Sequence, residues 1–291
     1  MSVIHIENLT KDYGNNKGIF DIDLTIEKGE IFGFLGPNGA GKTTTIRTLM
    51  GFITPDKGEC SIDGLDCFEY SKEIKKNLGY LPGETSFPDN MRAKEYIDFI
   101  ADLKELKNRD YIDELSGYFD FIPDGYINKM SKGMKQKLAI ICCFMADPDI
   151  IILDEPTSGL DPLMQKKFIE FILEKKKQGK TIFMSSHIFD EVERTCDRTA
   201  ILKHGKIVDV ANMLKLKQLR SDTYNVTFST ADDVALFTNE IYDIELVGKN
   251  TLRIKGISDI NTLIKTLCSY NVEAIETEKQ SLEDFFLKHY N

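Results

Sequence analysis

The chain has 291 residues, with 37 basic and 47 acidic side chains, a formal net charge of −10, and 42% hydrophobic and 29% charged residues. This composition describes a globular chain of about two domains with room for a large core, and its acidity disfavours nucleic-acid binding through a broad basic surface. The richest apolar run, Leu138 to Ala146, stops at Asp147-Pro148-Asp149, short of the roughly 18 residues a spanning helix needs.

From the N-terminus, Val3-Ile4-His5-Ile6-Glu7 alternates as a strand rather than reading as a secretory leader. Residues 3–10 and 18–27 are predicted as two strands. Between them lies Tyr13, which either packs a turn or offers a flat face to a base. A buried strand over Glu30 to Leu35 leads into Gly36-Pro37-Asn38-Gly39-Ala40-Gly41-Lys42-Thr43, followed by Thr44 and a helix to Leu49. This is G-x-x-x-x-G-K-[ST] in its strand–loop–helix context, the phosphate-binding P-loop. Its glycines let backbone N–H groups wrap an anion, and the helix N-terminus adds partial positive charge. Lys42 supplies a full charge for the β- and γ-phosphates, and the Thr43 hydroxyl suits magnesium.

A turn at Thr54 to Gly58, a strand at Glu59 to Ile62 and a helix near Lys72 to Asn77 are expected next. Leu78 to Leu81 reads as a buried strand ended by Pro82-Gly83. From about Glu84 to Ala146 apolar residues fall at helical spacing, predicting an insertion of several helices. Within it, Ser131 precedes a strong helix, and the residues alone make it an N-cap. Ile150-Ile151-Ile152-Leu153-Asp154-Glu155 describes a buried parallel strand with carboxylates at its C-terminal end, where open α/β sheets place ligands. Asp154 suits holding magnesium and Glu155 suits polarising water. Asp161 and Pro162 start a helix running to about Lys177. Thr181 to Met184 is a further buried strand, ending in Ser185-Ser186-His187, and a histidine at that end can reach a γ-phosphate. A short helix and a hairpin turned at His204-Gly205 follow. After a connecting helix at Lys215 to Arg220, the tail reads strand–helix–strand–strand–helix–strand, a ferredoxin-like order, and closes with a helix at Ser281 to His289.

The six cysteines, Cys60, Cys67, Cys142, Cys143, Cys196 and Cys268, form no C-x-x-C pair. Nothing in them suggests a disulfide framework, Cys142 and Cys143 lie in an apolar helix as small core filler, and a reducing cytoplasm fits the set.

Assembled, residues 1–215 resemble the ATP-binding subunit of an ABC transporter. Gly36 to Thr43 matches Walker A, Ile150 to Glu155 matches Walker B, and Ser158-Gly159-Leu160-Asp161 matches the D-loop. His187 matches the switch histidine and Tyr13 the adenine-stacking aromatic. Met130-Ser131-Lys132-Gly133-Met134 is similar to the signature, usually Leu-Ser-Gly-Gly-Gln, and retains Ser131 and Gly133. One departure is plain. Gly83 stands where the Q-loop glutamine falls, and Glu84 follows it.

The resemblance implies an α/β fold: a P-loop NTPase nucleotide-binding domain over 1–215 with a helical subdomain at about 84–146. A small α+β ferredoxin-like C-terminal domain would occupy 216–291. It implies ATP hydrolysis with Mg2+, using Glu155 and His187 as catalytic groups and Thr43 and Asp154 for the metal. It implies a second ATP-binding subunit, identical or different, whose Ser131, Lys132, Gly133 and Met134 act across the dimer. It further implies a separate ABC-2 type permease, export, no nucleic-acid partner, and a peripheral place at the inner face of the cell membrane. The helical insertion is where such a permease docks, with Phe87 and Tyr96 as candidates for that surface or for the local core. The alternative is a soluble ABC-type ATPase uncoupled from transport. Ribosome-associated members usually carry two cassettes and chromosome-structure members a long coiled coil; one Walker A and no coiled coil are present here. Motifs alone do not separate off the iron–sulfur assembly subunits.

Overall fold

The computed structural model describes residues 2–219, 222–238, 242–257 and 259–279. The closing helix expected at Ser281 to His289 lies outside them. Two compact units are present, Met1–Met213 and Leu214–Asn291.

The first unit opens with β1 (Ser2–Asp12), β2 (Gly18–Glu27), β3 (Ile31–Leu35) and α1 (Lys42–Leu49). β4 (Lys57–Ile62), β5 (Leu65–Asp66), α2 (Ser71–Asn77) and β6 (Leu78–Leu81) follow. Between residues 84 and 146 lie α3 (Ala93–Leu103), α4 (Asp110–Tyr118) and α5 (Lys132–Phe144). β7 (Ile150–Asp154), α6 (Pro162–Lys177), β8 (Thr181–Ser186), α7 (Phe189–Thr195), β9 (Arg198–Lys203) and β10 (Lys206–Asn212) complete it.

A six-stranded sheet runs β10-β9-β3-β8-β7-β6, and a four-stranded antiparallel sheet runs β2-β1-β4-β5. In the larger sheet only the β9–β10 pair is antiparallel; β9, β3, β8, β7 and β6 are parallel. Parallel strands are covered on both faces, so β3 and β8 are buried at every position. Helix α1 contributes Ile46 and Leu49 to one core with Ile4, Ile22 and Leu24 of the small sheet and Phe34 and Phe183 of the large one. Thr45 and Thr48 are also buried there, each satisfied by donating to a carbonyl one turn back, at 3.0 and 2.8 Å. A separate aromatic cluster, Phe119, Phe144 and Phe171, joins α4, α5 and α6 with centroids 4.9 to 5.2 Å apart.

Strand β8 takes in Ser185 and Ser186, the residues expected at its end. Its ladders continue to Asp154↔Ser185 and Leu35↔Ser186, which keeps both serines in the sheet. That register aligns the ends of β3, β7 and β8. Gly36, Glu155 and His187 therefore emerge side by side at one sheet edge. Asp161 caps α6 by accepting from Met164 N–H at 3.0 Å, with Pro162 at the first helical position. Phe87 and Tyr96 are half-buried and meet edge to face at 5.1 Å. All six cysteines are free; burial pushes the Cys142 thiol up to about 12.

Helix α8 (Met213–Leu219) runs across the division between the units. The second unit holds β11 (Asp222–Phe228), α9 (Ala231–Phe237), β12 (Asp243–Leu246), β13 (Thr251–Lys255), α10 (Ile260–Leu267) and β14 (Val272–Lys279). Its sheet is antiparallel in the order β12-β13-β11-β14. Val226, Phe228, Phe237, Leu252, Ile254 and Leu263 form its own core.

Candidate functional site

The phosphate loop leaves the buried end of β3. A Cβ at Gly36 would fall 2.6 Å from the Leu202 carbonyl oxygen, so only glycine lets the chain pass beneath β9. Gly41 has φ +109°, a left-handed setting that starts α1 with its N–H groups turned toward the loop. The β9–β10 hairpin supports the loop from outside, with Gly205 N–H donating to the Ala40 carbonyl at 3.0 Å. Lys42 is 4% exposed. Its Nζ donates to the carbonyls of Gly36 at 2.7 Å and Pro37 at 3.2 Å, and pairs with Glu155 Oε1 at 3.2 Å.

A pocket of about 520 Å³ opens here, lined by Tyr13, Asn38, Gly39, Gly41, Lys42, Thr43, Thr44 and Glu155. That volume suits a small-molecule ligand. Gly36, Pro37 and Ala40 of the same loop are not among the lining residues. Asn16, Lys17, Gly18, His204 and Gly205 also line the pocket, and sequence reasoning assigned them no such role. His204 and Gly205 both take positive φ, at 51° and 75°, so the turn that was legible as a hairpin is also a wall of the site. Tyr13 is 55% exposed, with Lys11 Nζ 6.0 Å from its ring centroid.

The acids at the end of β7 occupy different environments. Asp154 is fully buried. The Ser185 hydroxyl donates to its Oδ1 at 2.5 Å. Oδ2 has no hydrogen-bond partner among the described residues. Gly83 stands against that oxygen, where an added Cβ would lie 3.0 Å away. Burial and the Asp154 charge push the neighbouring Tyr80 hydroxyl up to about 12. Glu84 is exposed.

Glu155 turns out of the strand at φ +49°. Non-glycine residues seldom sit there, and such strain gathers at functional positions. Its N–H is held by the Ser185 carbonyl at 3.2 Å and the Ser185 hydroxyl at 3.0 Å. Its carboxylate lies between Lys42 Nζ and His187 Nδ1, each at 3.2 Å. Ser185 thus orients both acids, a role with no periodic signal to announce it. Removing its hydroxyl orphans a buried carboxylate oxygen. Ser185→Ala is therefore expected to cost about 1–3 kcal/mol in a urea titration; a midpoint unchanged from the parent would remove Ser185 from this role.

Residues 131–134 sit elsewhere. Ser131 Oγ accepts from Met134 N–H at 3.2 Å, the N-cap the residues alone predicted. Lys132 Nζ lies 3.3 Å from Ser158 Oγ, and a Cβ on Gly133 would be 3.1 Å from the Gly159 carbonyl oxygen. Gln136 is 3% exposed and donates to the Pro156 carbonyl at 2.7 Å. This stretch is therefore fastened to Ser158-Gly159 of the same chain, with Leu160 buried behind, while the phosphate pocket is lined by other residues. A second pocket of about 230 Å³ brings Ser158 and Gly159 together with Glu155 and His187.

A family model described as ABC transporter matches residues 19–158. The chain is 41% identical over 200 residues to the ABC transporter ATP-binding protein NatA of Bacillus subtilis (strain 168), an alignment covering 66% of this chain and 80% of that one. It is 31% identical to the bacitracin transport ATP-binding protein BcrA of Bacillus licheniformis, over 99% of this chain and 97% of the relative. Among solved structures, the ATP-binding subunit of an ABC transporter superposes with a TM-score of 0.69 at 28% identity, covering 74% of this chain and 92% of that one.

Proposed function

The chain belongs to the ABC transporter ATP-binding family and is an ATP-binding, ATP-hydrolysing subunit; from that premise we propose that it drives a separate ABC-2 type permease, in the export direction, by ATP-dependent dimerisation. The observation that carries this reading is the separation of the two halves of the chemistry. Lys42 and Glu155 line the phosphate pocket and His187 reaches Glu155 from the neighbouring one, whereas Ser131 to Met134 are fastened to Ser158 and Gly159. A second ATP-binding subunit, identical or not, then supplies its Ser131 hydroxyl and the N-terminus of its α5 to the γ-phosphate.

In this mechanism the loop N–H groups, the α1 N-terminus and Lys42 hold the phosphates, and Tyr13 stacks on the adenine. Glu155 orients water for in-line attack, and His187 contacts the γ-phosphate while fixing the Glu155 carboxylate. Hydrolysis adds repulsion between products, and the dimer reopens. Thr43 and Asp154 would hold Mg2+. The buried, unpartnered Asp154 Oδ2 fits a cation, and the ion would neutralise phosphate charge. Glu84 takes the Q-loop position beside Gly83.

Among the described residues no helix is long and apolar enough to cross a membrane. In this reading the pore is another polypeptide, and the subunit sits peripherally at the inner face of the cell membrane. The nucleotide-binding domain spans 1–215 with its helical subdomain near 84–146, where Phe87 and Tyr96 flank the permease surface. Residues 216–291 form a ferredoxin-like accessory domain. The exporter assignment draws support from the likeness to a bacitracin transport subunit.

The test is a pull-down from the native organism's detergent-solubilised membranes, with Glu155→Gln and ATP as bait. A polytopic membrane protein in near-equal amount is expected. Recovery of soluble partners only would favour a soluble ABC-type ATPase.

A further inference from the structure

Glu191 lies in the first turn of α7, four residues beyond His187, and is 4% exposed. A buried carboxyl is costly unless its oxygens are answered. One of them, Oε2, accepts a short hydrogen bond from the Ser186 hydroxyl. A hydroxyl has one proton and two lone pairs. With its proton given to Glu191, Ser186 Oγ turns a lone pair to the Ile188 N–H and accepts it at 3.0 Å. These bonds fix the backbone on both sides of His187. Glu191 Oε1 is buried and has no hydrogen-bond partner among the described residues. The side chain also lines the second pocket, with Glu155, Thr157, Ser158 and His187.

Burial raises the Glu191 carboxyl above its ordinary range; Ser186, Thr157 and His187 oppose that rise, and Glu155 adds to it. Cys196, at the end of α7, is pushed up to about 12 by burial, with the Glu191 charge contributing. Glutamine keeps the shape of this side chain and an acceptor oxygen for Ser186.

We propose that Glu191 is a positioning residue for the switch histidine: through the Ser186 hydroxyl it sets the turn that carries His187 and so the reach of His187 to Glu155. This rests on the role given to His187 above.

Steady-state ATP turnover by the full chain tests it, in Glu191→Ala, Glu191→Gln, Ser186→Ala, His187→Ala and the Glu191→Ala/His187→Ala pair. His187→Ala should be slow. Glu191→Ala should lower kcat about tenfold or more with KM within about twofold, as misplacement of a catalytic group does. Glu191→Gln keeps the acceptor and should stay within about threefold of the parent. The double variant should be no slower than His187→Ala alone, because both remove one interaction. Equal losses in Glu191→Gln and Glu191→Ala, or single losses that multiply in the double variant, would overturn the proposal. A slow His187→Ala with a normal Glu191→Ala removes Glu191 and leaves His187 standing. A normal His187→Ala removes the histidine's role, and this inference with it. Should Glu191→Ala fail to fold, Ser186→Ala carries the same expectation: a kcat loss not added to that of His187→Ala.

Discussion

Glu155→Gln is expected to bind ATP within about threefold of the parent affinity while its turnover falls by about 100- to 10,000-fold, the range for loss of a general base. The amide has nearly the shape of the carboxylate, so the strained turn at φ +49° and its N–H bonds to Ser185 should persist. What it loses is the charge proposed to orient and polarise water, which pairs with Lys42 and His187 at 3.2 Å. Removing a negative charge beside a polyphosphate does not weaken the phosphate's binding. Nucleotide titration and phosphate release, measured on the same preparation, separate the two effects. Near-normal turnover would move the base to another residue.

Lys42→Ala is expected to weaken ATP binding by about 100-fold or more, the loss of one or two charge-assisted hydrogen bonds to phosphate in a dry site. Lys42 is 4% exposed, so water replaces the ammonium poorly. The substitution also leaves the Gly36 and Pro37 carbonyls without this donor and Glu155 without this cation. A binding isotherm that overlays the parent's would show that the loop N–H groups alone hold the phosphates. A denaturation midpoint measured alongside distinguishes lost binding from lost folding.

The parts of the fold that were legible share a local cause. Residues 150–155 carry an apolar run and then two acids, and residues 30–44 carry strand, loop and helix in sequence. Each segment states its own conformation. Cap residues such as Asp161 belong to the same class, because a cap acts three residues away. The walls of the site were less legible. Lys17, His204 and Gly205 join it only because the β1–β2 loop and the β9–β10 hairpin converge on residues around 40, and no local pattern encodes that meeting. Ser185 escaped for a different reason. It was readable as part of a strand end, but only the pairing of β8 with β3 and β7 on either side sets it beside Asp154 and Glu155. Ser131 shows both limits: its cap was readable from spacing, whereas any task beyond the cap came from resemblance.

Gly83 bears on how the free oxygen of Asp154 is kept open. A Cβ there would lie 3.0 Å from Asp154 Oδ2 and 3.1 Å from the carboxyl carbon. The carboxylate is pinned by Ser185 and buried, so it has little room to retreat. A glutamine at this position would press its Cβ against the carboxylate. Gly83 therefore sets how closely the backbone passes the free oxygen of Asp154, and any side chain at 83 requires that carboxylate to give by a few tenths of an ångström.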